Sequence, residues 1–177
     1  MQDLRNQAWQ LAGEYHNGQL YGDSLPYLYH LGQVYLNASI IAEQEPGLDL
    51  QLLYCCAILH DTLEDTELEA ATITATFGPA VTAGVQALTK DASLPDKSTR
   101  MADSIARIKT QPREVAIVKL CDRISNLSRQ PPSWWTKEKI GKYLEEGGLL
   151  AKELGDSCEP AKKLLLKRIK TYREAYC

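Results

Sequence analysis

The chain has 177 residues, with 20 Lys+Arg against 23 Asp+Glu, a formal net charge of −3 at pH 7. At 44% hydrophobic and 24% charged residues it reads as one globular domain over residues 1–177, which excludes disordered, collagen-like and low-complexity chains. The mildly acidic balance also argues against a nucleic-acid partner, because affinity for DNA or RNA comes largely from phosphate neutralisation by Lys and Arg.

Met1 to Gln10 mixes Asp3 and Arg5 with Asn and Gln and has no apolar h-region, so no secretory signal is expected and the cytoplasm is the expected compartment. Between short breaks such as Glu45-Pro46-Gly47, Gly78-Pro79 and Gly155 to Pro160, apolar residues recur at three- and four-residue spacing. The pattern predicts an all-α bundle with helices near 2–16, 27–44, 48–63, 67–76, 78–89, 98–109, 112–128, 136–154 and 159–175. The stretch from Leu48 to Leu59, with Asp49 and Gln51 inside it, falls short of the ~20 residues a membrane span needs. No membrane partner is expected. Ala70 to Phe77 is rich in Thr and Ile but suits a short helix. Trp134-Trp135 should divide between core and rim, and the tail from Ala161 to Arg173 reads as a closing helix that buries Leu164, Leu165, Ile169 and Tyr172. Cys55, Cys56, Cys121, Cys158 and Cys177 contain no C-x-x-C, so they read as small hydrophobes or bystanders rather than zinc ligands.

The chemistry concentrates in His60-Asp61-Thr62-Leu63-Glu64-Asp65-Thr66, directly after an apolar stretch. On a continuous helix His60 and Glu64 would share a face, with Asp61 and Asp65 one step round. Charges beside a dry interior need a compensating partner, and a divalent cation is an economical one. His30 and Asp122 offer further ligands from separate helices. Two imidazoles and two carboxylates suit manganese, iron or zinc better than a thiolate site, with room for a water that becomes a nucleophile near neutral pH. Each residue also has a plain structural reading: a half-buried His30, a solvated helix end at Glu64 and Asp65, surface pairing of Asp122 with Lys119 or Arg123. The conjunction favours a metal.

Pro26-Tyr27-Leu28-Tyr29-His30, then H-D-x-x-E-D-T at 60–66, then Val118-Lys119-Leu120-Cys121-Asp122-Arg123-Ile124-Ser125-Asn126-Leu127, resemble the HD-domain metal-dependent phosphohydrolases. Within them the pattern is most similar to the hydrolase domains of the Rel/Spo homologues and the small alarmone hydrolases of the stringent response. The resemblance implies a compact HD-type bundle and a divalent metal, usually manganese, held by His30, His60, Asp61 and Asp122. It implies Glu64 and Asp65 as catalytic carboxylates that orient water and manage protons. The implied substrate is (p)ppGpp, cleaved to pyrophosphate and GDP or GTP, with Asn126, Lys139 and Tyr143 at the nucleotide and no cofactor beyond the metal. Tyr21 and Gly22 stand where the family usually has a basic pair, and Leu31 replaces a Pro. Tyr21 could stack on a base but brings no charge, so anion attraction falls to Lys90, Lys97, Arg100, Lys119, Arg123 or Lys139, with Lys90 and Lys139 favoured. A phosphatase acting on another nucleotide or NADPH, and a non-catalytic nucleotide-binding module, are the competing readings. The sequence leaves a homo-oligomer open.

Overall fold

The computed structural model describes residues 3–177, so Gln2, where the first helix was expected to start, lies outside the described residues. The first helix, α1 (Leu4–Tyr15), is capped by Asp3, whose carboxylate accepts from the Arg5 N–H. A hairpin that the all-α expectation did not contain follows, with β1 (Leu20–Tyr21) antiparallel to β2 (Leu25–Pro26) and Tyr21 opposite Leu25. Strands of two residues are too short to show alternation, and the turn rests on Gly22 at φ +65°.

Beyond the hairpin run α2 (Tyr27–Ala42), α3 (Leu50–Leu59), α4 (Thr62–Asp65), α5 (Ala70–Phe77), α6 (Pro79–Leu88), α7 (Lys97–Ile108), α8 (Arg113–Asn126), α9 (Lys137–Leu154), a 3-10 turn at Gly155–Ser157 and α10 (Glu159–Tyr176). Eleven of the fourteen residues of α8 are buried, which makes it the central helix, and α2 and α3 pack against it and against each other. The start of α3 is tied to α8 as well. Asp49 caps it by accepting from Leu52 N–H at 3.0 Å, while Asp49 N–H donates to the buried Glu114 at 2.7 Å.

The expected continuous helix over 48–63 instead breaks at His60-Asp61, with Asp61 at φ −102°, ψ −3° as the N-cap residue of α4. Side chains compete with the helical ladder there: Thr62 Oγ1 donates to Leu59 O at 2.7 Å, and His60 Nδ1 to Ala57 O at 2.9 Å. Stacking of His60 over Glu64 on one helix face is therefore not realised. The closing helix buries Leu165, Ile169 and Tyr172 of α10 as expected, while Leu164 is only half-buried against the core, and Cys55, Cys56, Cys121 and Cys158 are buried free thiols. No helix among the described residues is long and apolar enough to cross a membrane.

Candidate metal centre and adjoining cleft

Three helices and one turn deliver the titratable residues to one point. His30 comes from the first turn of α2, His60 from the end of α3, Asp61 from the break and Asp122 from α8. Both histidines are 2% exposed, and ligand atoms of His30, His60 and Asp122 all lie within 4.8 Å of one another. The carbonyl of Ala57 can only accept, so His60 carries its proton on Nδ1 and turns Nε2 toward the centre, 3.3 Å from His30 Nε2. The outer nitrogen of His30, Nδ1, is matched by Ser125 Oγ at 3.1 Å. Fixing the outer nitrogen of each ring so that the inner one is a donor atom for an ion is the usual arrangement of ligating histidines. Asp61 Oδ2 lies 2.9 Å from His60 Nε2 and 3.5 Å from His30 Nε2, and Asp122 Oδ1 lies 3.4 Å from His30 Nε2. Two imidazoles and two carboxylates converging in a buried spot are a donor set that fits a divalent cation.

The electrostatics show that the charged forms in this cluster hold one another against the cost of burial. Burial would raise both carboxyls, but the His60 and His30 contacts hold Asp61 far below the usual carboxylate range, and Lys119, with His30, does the same for Asp122. Burial alone would lower His30, yet its hydrogen bonds to Asp122 and Asp61 lift it to about 9. The expected pairing of Asp122 with Lys119 exists at 3.1 Å, but inside the site rather than on the surface.

The centre forms the floor of a cleft of about 220 Å³ whose lining includes Glu64, Asp65, Lys90, Lys97, Lys119 and Arg123. Glu64 accepts from Lys90 N–H at 2.9 Å and from its ammonium at 2.6 Å. Burial raises the Asp65 carboxyl, and the Asp61 charge adds to the effect. Tyr27 joins the two aspartates, its hydroxyl 2.6 Å from Asp61 Oδ2 and 3.0 Å from Asp65 Oδ2. That hydroxyl bridge was not foreseen from the sequence, which shows Tyr27 only as part of the segment before His30. Asn126 lines the cleft with its amide nitrogen 2.7 Å from Asp122 Oδ1 and its oxygen accepting from Tyr21 OH at 2.8 Å.

Of the other expected pocket residues, Tyr21 and Tyr143 line the cleft and Lys139 does not. Tyr21 lines the cleft, but its ring stacks on His30 at 4.7 Å and Arg129 lies over it at 4.4 Å. Both groups occupy space at the ring that a stacked base would need. Tyr143 lines the cleft with Arg123 3.8 Å from its ring centre. Lys139 is outside the cleft lining, its ammonium 5.0 Å from the Trp135 ring centre, and Arg100 is spent on the carbonyls of Leu94 and Ala92. Arg129 was missed by sequence reasoning, for it meets Tyr21 across 108 positions and no local pattern marks it.

The fold and the centre together are those of an HD domain, and the chain belongs to the HD domain family: residues 8–139 match the family's profile. It is similar to the guanosine-3′,5′-bis(diphosphate) 3′-pyrophosphohydrolase MESH1 of Danio rerio, 30% identical over 148 residues that cover 81% of this chain and 79% of that one. A GTP pyrophosphokinase of Streptomyces coelicolor is 33% identical over 68% of this chain, which there corresponds to 14% of a much longer protein. Among solved structures, that of a metazoan ortholog of SpoT that hydrolyses ppGpp superposes with a TM-score of 0.84 over 97% of this chain and 96% of that one, at 24% identity. The family resemblance of the sequence motifs is borne out.

Proposed function

We propose that the chain is a metal-dependent phosphohydrolase that removes the 3′-pyrophosphate of (p)ppGpp, releasing pyrophosphate and GDP or GTP. The observation that carries this reading is the inward-facing pair of Nε2 atoms of His30 and His60 beside Asp61 and Asp122, at the floor of a cleft whose walls hold both acidic and basic groups. The relatives named for this reaction support the choice of substrate. His30, His60, Asp61 and Asp122 hold a divalent ion, manganese in this reading. When bound, that ion supplies charge against the phosphoryl oxygens and acidifies water for attack near neutral pH.

The chain's own residues do the rest. Glu64, pinned by two donors of Lys90, orients the attacking water and accepts its proton. Asp65, whose carboxyl is raised by burial, holds a proton more readily and serves the departing 3′ oxygen. Lys90, Lys97, Lys119 and Arg123 line the cleft for the phosphate groups, and Asn126 stands between the metal side and the nucleotide. The cytoplasm, where nucleotides are free, is the compartment in which we place the reaction.

The test is a turnover screen of metal-stripped protein reloaded with manganese. It offers ppGpp, pppGpp, NADPH and simple 3′- and 5′-nucleotides, and reads phosphate and pyrophosphate separately. Pyrophosphate from the guanosine compounds is the expected result. Phosphate from NADPH or another nucleotide would replace the substrate, and binding without product under any metal would leave a nucleotide-binding module.

A further inference from the structure

A second cavity, of about 370 Å³, adjoins the metal-side cleft: it shares Tyr21, Asn126 and Tyr143 with it and adds Arg129, Trp134 and Trp135. Its character differs from that of the cleft. The cleft is crowded with charge, whereas the second chamber is walled by aromatic rings around a single guanidinium. The cations of the cleft are each engaged by a carboxylate: Lys90 by Glu64, Lys97 and Arg123 by Glu146, Lys119 by Asp122. Among the described residues no carboxylate pairs with Arg129, which lies over the Tyr21 ring and donates one N–H to the Tyr21 carbonyl at 3.2 Å.

The backbone makes room for this guanidinium. Gly22 sits at φ +65°, and a Cβ there would overlap both terminal nitrogens of Arg129 and lie 2.7 Å from its Cζ. The glycine thus serves twice at this position: it permits the turn, and it leaves the guanidinium a place from which a Cβ would push it aside. An aromatic chamber with one unpaired, donor-only group, opening beside a phosphate-handling cleft, has the chemistry to receive the flat heterocycle at the far end of a nucleotide.

Resting on the (p)ppGpp reading above, we propose that Arg129, admitted by Gly22 and braced on Tyr21, is the residue that selects the nucleobase. Its remaining N–H groups only donate. Guanine presents two acceptors, O6 and N7, on one edge, whereas adenine replaces one of them with an amino donor. Guanine is thus favoured.

The experiment measures GDP, ADP and inorganic pyrophosphate binding to the metal-stripped full chain by quenching of tryptophan fluorescence, since two of the three tryptophans line the chamber, with calorimetry for pyrophosphate. Arg129→Gln, Arg129→Lys and Gly22→Ala are compared with the parent after thermal melts establish that each folds. The parent should prefer GDP to ADP. Arg129→Gln should weaken GDP on the order of tenfold, remove the preference and leave pyrophosphate unchanged. Arg129→Lys, which keeps charge but not the planar fork, should resemble Arg129→Gln. Gly22→Ala should reproduce the loss, and the double variant should be no worse than Arg129→Gln alone. Unchanged GDP binding in Arg129→Gln, an equal loss of GDP and ADP, or a matching loss of pyrophosphate would each overturn the proposal; additive effects of Gly22→Ala and Arg129→Gln would overturn the coupling. These outcomes are separate from failure of the parent chain to release pyrophosphate from ppGpp, which would instead overturn the reaction on which the proposal rests.

Discussion

Replacing Asp122 by Asn keeps the shape of the side chain and removes its charge, and the surroundings show what that charge does. Asp122 Oδ2 accepts from Lys119 at 3.1 Å, with the two side chains 13% and 11% exposed, while Oδ1 accepts from Asn126 at 2.7 Å and faces His30 at 3.4 Å. Taking one partner from a buried ion pair costs about 3–5 kcal/mol. The lower end applies, because the change also relieves repulsion between Asp122 and Asp61. At roughly 2–4 °C per kcal/mol for a chain of this size, the metal-free variant should melt roughly 6–12 °C below the parent. The second effect is separate. An ion present at ~100 times its Kd stabilises the parent by about 2.7 kcal/mol, or roughly 5–11 °C, and the variant should lose most of that gain. Thermal melts with a chelator and then with added manganese read both quantities. A variant that keeps the full metal-induced shift would refute the assignment of Asp122 as a ligand, and one that melts with the parent in chelator would refute the worth assigned to the pair.

Glu64→Gln should lower kcat by about 10²–10⁴-fold with the metal-induced shift in Tm intact; loss of both would merge the ligand and catalytic roles kept apart here. Tyr27→Phe removes the hydroxyl between Asp61 and Asp65 and should cost roughly 10- to 100-fold in metal affinity or turnover, measured by metal titration and initial rates; parent-like values in both would remove Tyr27 from the site. Burial lowers His30, but Asp122 and Asp61 lift it to about 9 in the metal-free chain, above its unfolded value of about 6.5. Its stabilising contribution is then full below about pH 6.5 and is lost as pH rises through about 9. An ion competes with that proton, so metal affinity should rise about tenfold per pH unit toward pH 9, and a flat profile between pH 7 and 9 in a titration would contradict it. Gly84→Ala places a Cβ 2.7 Å from Cys56 Sγ and 3.1 Å from Val115 Cγ2. Overpacking of about 1–3 kcal/mol should outweigh a helix-propensity gain of about 1 kcal/mol, and a raised Tm would show that the α3–α6 contact can relax.

The elements that the sequence declared best were those with a periodic apolar face. The spacing Val115, Val118, Cys121, Ile124 announced α8, and Leu165, Ile169 and Tyr172 announced the inner face of α10. The candidate metal centre was legible for a different reason: His30 and His60 sit at buried positions on apolar stretches and Asp122 follows the apolar run of α8, and a shared partner is an economical way to offset so many polar groups beside a dry interior. What stayed hidden was set by contacts remote in the chain. Nothing near Lys139 says that Trp135 draws its ammonium out of the cleft, and nothing near Tyr21 says that His30 and Arg129 cover its ring. The hairpin escaped because two-residue strands are held by register and by Gly22, not by a pattern of side chains.

In the proposed reading, the break at His60-Asp61 accounts for how two adjacent residues can face one ion. On a continuous helix neighbouring side chains diverge by about 100°, so one of the two would face away from the centre. Ending α3 at Leu59 and starting α4 at Thr62 turns the chain between them, and His60 Nε2 then comes within 2.9 Å of Asp61 Oδ2. The same turn sends Glu64 toward Lys90 and Asp65 toward Tyr27, away from the ion-facing positions and along the cleft edge. Continuous helical geometry would have stacked Glu64 against His60 and made it a competitor for the ion. The interruption thus separates the three carboxylates of residues 61–65: Asp61 faces the histidines, where Asp122 joins it from α8, while Glu64 and Asp65 lie along the cleft edge beside Lys90 and Tyr27, where the proposed reading has them act on water and on the leaving oxygen.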